Sequence, residues 1–199
     1  MNLSEMRTLL RQDLKDEESN NYRWTDEELD RAIQRALAEL SRYCPREIAT
    51  DIATTDGSRE IDVASLSPRI RIDRVEFPIG HHPRSFQRFA VYRDTLTLIG
   101  DEEGNGNDAR IYWLAPHILD DEQSTLSPAL EGLVLLGAGG YAVMSLSQYV
   151  TQTAGIGGNQ ADRDLREWGV AMLELFRKTL RVYARNNKVR AGVLYTESD

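Results

Sequence analysis

"GLVLLGAGGYAVMSLSQYV", residues 132–150, is the most apolar run in the chain and contains four glycines. Three readings compete for it: a membrane span, a phosphate-cradling loop, and a helix buried against protein. A spanning helix needs about 20 mostly apolar residues, but here Ser145, Ser147 and Gln148 fall in the second half and Glu131 stands at the start. A dinucleotide loop leaves a strand and opens a helix, whereas "GAGG" lies inside a helical run and lacks the lysine and hydroxyl of a P-loop. The buried helix remains. Each internal glycine costs roughly 1 kcal/mol against alanine, so close approach of a neighbour must offset the loss. Gly137, Gly139 and Gly140 are therefore expected to mark a core or subunit-contact surface.

Downstream, Ser127-Pro128 supplies a cap residue and a proline at the first helical position, which places this helix from Pro128 to about Thr151. The run "TAGIGG" follows as a turn, and "NQADRDL" opens a last helix over about 162–185, roughly 36 Å long at the usual rise. Leu165, Trp168, Met172, Leu175, Thr179 and Val182 trace an almost heptad-like stripe on it, which predicts its packing face. The tail "NNKVRAGVLYTESD" has no helical stripe and ends in a β-prone Val193-Leu194-Tyr195.

Upstream, the period changes. "EIATDIATT", "REIDVASL", "RIRIDRVEF", "RFAVYRD", "TLTLIG" and "ARIYWL" are short, β-branched and roughly alternating, with turn residues between them. Asn105-Gly106 fits a tight turn between the last two. Before these strands stand two helical patterns. Leu3, Met6, Leu10 and Leu14 form a narrow stripe. In "WTDEELDRAIQRALAEL", Thr25 and Glu28 form a capping box, Trp24 and Leu29 a hydrophobic staple, and Asp26, Glu27 and Glu28 favour the positive end of the helix dipole. "CP" at 44–45 ends that helix. The expected fold is mainly α with a β insertion (α+β): a core of three to four helices over 1–46 and 125–199, with a small antiparallel β-module, 47–124, between the second and third helices.

Composition narrows the function. The 199 residues carry a net charge of −8, which argues against general duplex binding, since phosphate attraction supplies most of that affinity. A single cysteine, Cys44, excludes an intramolecular disulfide and suits a reducing compartment. The N-terminal sequence has no apolar core of signal-peptide length, so export is not expected. Cys44 stands at a helix end without a flanking nucleophile motif and reads as structural. His81-His82 reads as a solvated loop pair, His117 as a satisfied turn residue, and no cluster shows metal spacing. "DEEGNGND" lacks the glycine and terminal glutamate of a calcium loop and reads as a hairpin connection. No catalytic constellation, cofactor site or metal site is expected.

Charge is segregated along the chain. The first thirty residues hold nine acids against four bases, and residues 163–190 hold eight bases against three acids. Solvated faces are the default, but opposite signs at opposite ends also suit contacts between copies.

In order of parts, the chain resembles the head-to-tail adaptor (connector) proteins of tailed bacteriophages. The resemblance rests on "WTDEELDRAIQRALAEL" ending in "CP", and on "IYWLAPHILDDEQSTLSPALEGLVLLGAGGYAV": a strand ending in Tyr-Trp, a histidine-containing linker, "STLSP" and a small-residue helix. It covers roughly 1–46 and 109–150, and the β insertion is longer than in compact members. It implies a non-enzymatic virion component, present in the host cytoplasm during assembly. It also implies a homo-oligomeric ring, typically of twelve copies, under the portal protein, which extends the DNA channel and docks a tail, nozzle or stopper protein. Genomic DNA would pass without sequence recognition, and no membrane is involved. In similar proteins the C-terminal segment reaches toward the portal, making Lys188, Arg190, Val193, Leu194 and Tyr195 portal-contact candidates. Trp24 and Trp168 join the three glycines as close-packing candidates.

Two other classes have distinct requirements. A small ligand-binding or hydrolytic protein using the β-module as its pocket needs His81, His82 and His117 to converge. A DNA-binding accessory factor needs Arg177, Arg181 and Arg185, spaced every four residues, to form one free basic face.

Overall fold

Thr25 accepts from the Glu28 amide and Glu28 accepts in return from the Thr25 amide, so the capping box opens a helix at Asp26. In the computed structural model, which describes residues 1–153 and 160–186 (side chains to 149 and over 163–185), this helix is α2, Asp26–Tyr43. It is preceded by α1, Leu3–Leu14, which has its own capping box between Asn2 and Glu5, and followed after the strands by α3, Pro128–Thr153, and α4, Gln160–Asn186. Six strands lie between α2 and α3: β1 Arg46–Ala53, β2 Glu60–Asp62, β3 Arg71–Glu76, β4 Phe86–Tyr92, β5 Thr95–Ile99 and β6 Asp108–Ala115. The fold is α+β, with the β-module between the second and third helices as the alternating patterns require.

The chain divides into two units: 1–44 together with the chain from His117 onward, and 45–116. Residues 117–124, grouped by sequence with the insertion, thus fall with the helices. The reason is local. The Leu3 amide donates to Asp120 O at 3.0 Å, Gln34 Nε2 donates to Leu119 O at 3.0 Å, and Leu119 is buried in the helical core.

The helical core brings Met6, Leu10 and Leu14 of α1 against Leu29, Ile33, Ala36, Leu37 and Leu40 of α2, with Val134, Ala138 and Ala142 of α3 and Leu173, Phe176 and Leu180 of α4. Residues Pro128–Tyr149 pass a length-and-composition test for a membrane span, yet more than half of that segment is buried inside this unit. The face of α4 that packs inward is Leu173, Phe176, Leu180 and Ala184, beside buried Gly169. This corrects the heptad stripe drawn from sequence. Met172 and Thr179 are only half-buried, and Trp168, Leu175 and Val182 face out. At 3.6 residues per turn a seven-residue spacing drifts by about 20°, and α4 carries two apolar stripes of which the denser one wins the core.

In the other unit the strands are antiparallel in the order β1-β6-β3-β4-β5-β2. Period-two alternation sends Ile61, Val63, Val75, Leu96, Leu98, Ala109, Ile111 and Trp113 into one core. Residues from both ends of the strand order share that cluster, so the sheet curls over it. The connection between β5 and β6 is held against the β1–β2 turn: the Gly104 amide donates to Ser58 O at 2.7 Å and the Gly57 amide to Gly104 O at 2.8 Å. A Cβ on Gly104 would sit 2.3 Å from Thr55 O, which is why glycine stands there. The tightest hairpin, β4 to β5, turns instead on Arg93-Asp94, with Arg93 at φ 52°.

Candidate interaction site

Close approach of α3 and α4 sets the geometry of the helical surface. A Cβ at Gly137 would lie 2.9 Å from the Phe176 ring, one at Gly139 2.5 Å from Met172 Cε, and one at Gly140 2.8 Å from Leu173 Cγ and 3.2 Å from its backbone nitrogen. Gly169 reciprocates, its absent Cβ falling 3.0 Å from Met144 Cγ. Trp24 is buried and its indole N–H donates to Ala142 O at 2.9 Å, tying the entry of α2 to α3.

A polar lock then fixes the outer edge of α4. Arg177 Nε donates to Glu39 Oε1 at 2.8 Å, and the Tyr141 hydroxyl donates to the other oxygen of the same carboxylate. Burial opposes ionisation of Glu39, but the hydrogen bonds from Arg177 and Tyr141 prevail and hold its pKa below the ordinary 4.5. Burial, and then the bond to Glu39, push the Tyr141 hydroxyl the other way. Arg177 is thereby committed to α2 and α3, so Arg177, Arg181 and Arg185 do not form one uniform free basic face.

With the inner face and the lock in place, Trp168, Leu175 and Val182 are left 43%, 53% and 51% exposed along one side of α4. Lys178, Arg181 and Arg185 are exposed beside them. Trp168 is therefore no core residue of the single chain. Lys188, Arg190, Val193, Leu194 and Tyr195 lie outside the described residues.

A second locked cluster, invisible to periodicity, joins α1 to α2. Buried Arg11 donates to Asp16 Oδ2 at 2.6 Å, to Trp24 O at 3.0 Å and to Asp26 Oδ1 at 2.6 Å, while Arg7 reaches Asp30 at 2.7 Å. The Arg11 bond is the main cause of the lowered Asp26 pKa. A third cluster lies on the outer face of the β unit. Tyr112 donates to buried Glu76 at 2.6 Å, Arg84 donates to Tyr112 at 3.0 Å, and Arg110 pairs with Asp51 at 2.7 Å over a shallow cleft. The charges in each cluster are spent on one another, which suits structure better than chemistry. Sequence reasoning missed all three because no periodicity links their members, which stand from 5 to 138 residues apart. The one local hint was a long basic side chain on an otherwise apolar stripe at Arg11.

The remaining candidates are plain. His81 and His82 are exposed. The His117 amide donates to Ser41 Oγ at 3.0 Å, and its ring sits 2.9 Å from Cys44 O and 3.1 Å from Thr125 Oγ1. Cys44 is half-buried, and burial pushes its thiol pKa up, away from a nucleophile's range. Among the described residues no three His, Cys, Asp or Glu side chains gather as a metal site.

A family model described as SU10 adaptor protein matches residues 1–155. No curated protein matches the sequence.

Proposed function

The chain belongs to the SU10 adaptor protein family, a phage head-tail adaptor type, and on that premise we propose that it forms a ring beneath the portal, typically of twelve copies. In this role it extends the DNA channel and docks the next tail, nozzle or stopper component. The observation that carries the reading is the match itself, which spans α1, α2, the whole β unit and α3. Membership points to a structural component of the virion rather than an enzyme. The exposed arc of α4 supports a protein whose work is done by surfaces, since aligned exposed apolar side chains suit an interaction site. An excess of carboxylates, net −8, suits a channel wall that repels passing DNA. The segment from about 186 to 199, with Lys188, Arg190, Val193, Leu194 and Tyr195, is assigned to portal contact, and assembly takes place in the host cytoplasm.

The test is light scattering of the full chain with and without the portal protein of the same virion. A ring-sized species that forms with the portal is expected, and failure to join portal complexes would overturn the reading. Removal of 186–199 is expected to abolish docking and leave the circular dichroism spectrum of the helices unchanged. Undiminished portal binding by the truncated chain would refute the tail assignment alone.

A further inference from the structure

We propose that the exposed arc of α4 packs onto the outer face of α1 of a second copy of this chain, and that this head-to-tail contact repeats around the assembly. The inference rests on the ring reading above and names the two surfaces that would build it. Trp168, Leu175 and Val182 are spaced by seven residues, which keeps them within about 40° of one line along the helix. They extend over about 21 Å at two-turn intervals, a line of exposed apolar side chains on one side of the helix. The edge of the arc is one-signed toward its C-terminal half: Lys178, Arg181 and Arg185 are exposed, and no acid follows Glu174 in the described helix. The matching face needs an apolar centre edged by carboxylates.

α1 supplies it. Leu9 is 38% exposed on the outer side of α1, Asp13 stands one turn on, and Glu17 follows just past the helix end, both exposed. At about 18 Å, α1 matches the length of the arc. Among the other large exposed side chains three aromatics carry the wrong sign, while Ile99, beside exposed Asp101 and Glu102, ends a five-residue strand and offers no helix-length face. Phe86 lies under Arg74 and Tyr92 under Arg93, and Tyr22 is covered by Arg11 at 3.8 Å. Because the two surfaces differ, the contact is heterologous and propagates into a closed ring or a filament, whereas α4 pairing with itself would stop at two copies.

Oxidative trapping of full-length single-cysteine variants tests this. In a Cys44→Ala background, Leu9→Cys and Leu175→Cys chains of different tag mass are mixed and mildly oxidised. A disulfide requires Cα atoms within about 7 Å, and trapping accumulates even a minor associated population. The mixed Leu9→Cys/Leu175→Cys product is expected to dominate. A dominant Leu175→Cys homodimer would show two-fold α4 pairing and overturn the proposal. Independently, Arg181→Glu with Arg185→Glu is expected to weaken self-association on the order of tenfold, and Asp13→Lys with Glu17→Lys in the same chain to restore it. Rings that form normally with neither trapping nor charge rescue would sink this contact and leave the ring reading intact. A wild-type chain that never self-associates, with or without portal, would sink both.

Discussion

Alanine substitution at two glycines of the same helix should move stability in opposite directions. At Gly132 an added Cβ meets nothing within 4 Å, so Gly132→Ala simply recovers helix propensity, about 0.5–1 kcal/mol. At Gly140 the same Cβ would lie 2.8 Å from Leu173 Cγ, 2.9 Å from Cδ2 and 3.2 Å from the Leu173 backbone nitrogen. The obstruction is a branch carbon and main chain, not the free end of a flexible side chain, so α4 must shift as a body. Overpacking of this kind costs about 1–3 kcal/mol. Subtracting the propensity gain leaves Gly140→Ala a net loss of up to about 2.5 kcal/mol, and about 1 kcal/mol at the midpoints of the two ranges. For a chain of this size a loss of about 1 kcal/mol is a fall in Tm of roughly 2–4 °C, against a rise for Gly132→Ala. Urea and thermal unfolding followed at 222 nm, where the helices dominate, measure both. Equal stabilisation by the two substitutions would refute the close approach of α3 and α4.

Three further outcomes are expected. Phe176→Ala removes a fully buried ring at the same contact and should cost about 3–5 kcal/mol; a loss under about 1 kcal/mol in urea titrations would show that α4 is not docked as described. Glu39 has its pKa lowered on folding, so its contribution is fully present above its ordinary 4.5 and disappears as pH falls through the lower folded value. The stability gap between wild type and Glu39→Gln should accordingly be open at pH 7 and shrink on acidification below the ordinary 4.5; a gap that widens on acidification would reverse the assignment. Cys44, its thiol pKa raised by burial, should react slowly with a disulfide reagent at neutral pH and quickly in urea. Native reaction at the unfolded rate would contradict its placement.

Features encoded within a few residues were legible in the sequence. Thr25 and Glu28 define the start of α2 because a cap is a local exchange of hydrogen bonds, and the six strands stand out because alternation repeats every two residues. What failed was any feature decided by competition at a distance. On α4 two apolar stripes fit helical spacing, and only the position of Gly137 and Gly140 opposite Phe176 and Leu173 selects the one that goes inside. Arg11 and Arg177 read as solvated charges until Asp26 and Glu39 arrive from another helix. Leu119 belongs with these: in the sequence it looks like linker, and in the structure it is buried in the helical core.

His117 carries a consequence for the modularity of the chain. Its amide holds Ser41 and its ring lies against the Cys44 carbonyl, so the helical unit clips together its own points of departure and return. A segment whose ends are stapled side by side behaves as a cassette. Replacing 45–116 with a few glycines and serines should leave the four helices folded, and grafting a different β domain onto the same stapled ends offers a way to change what hangs from the helices without redesigning them.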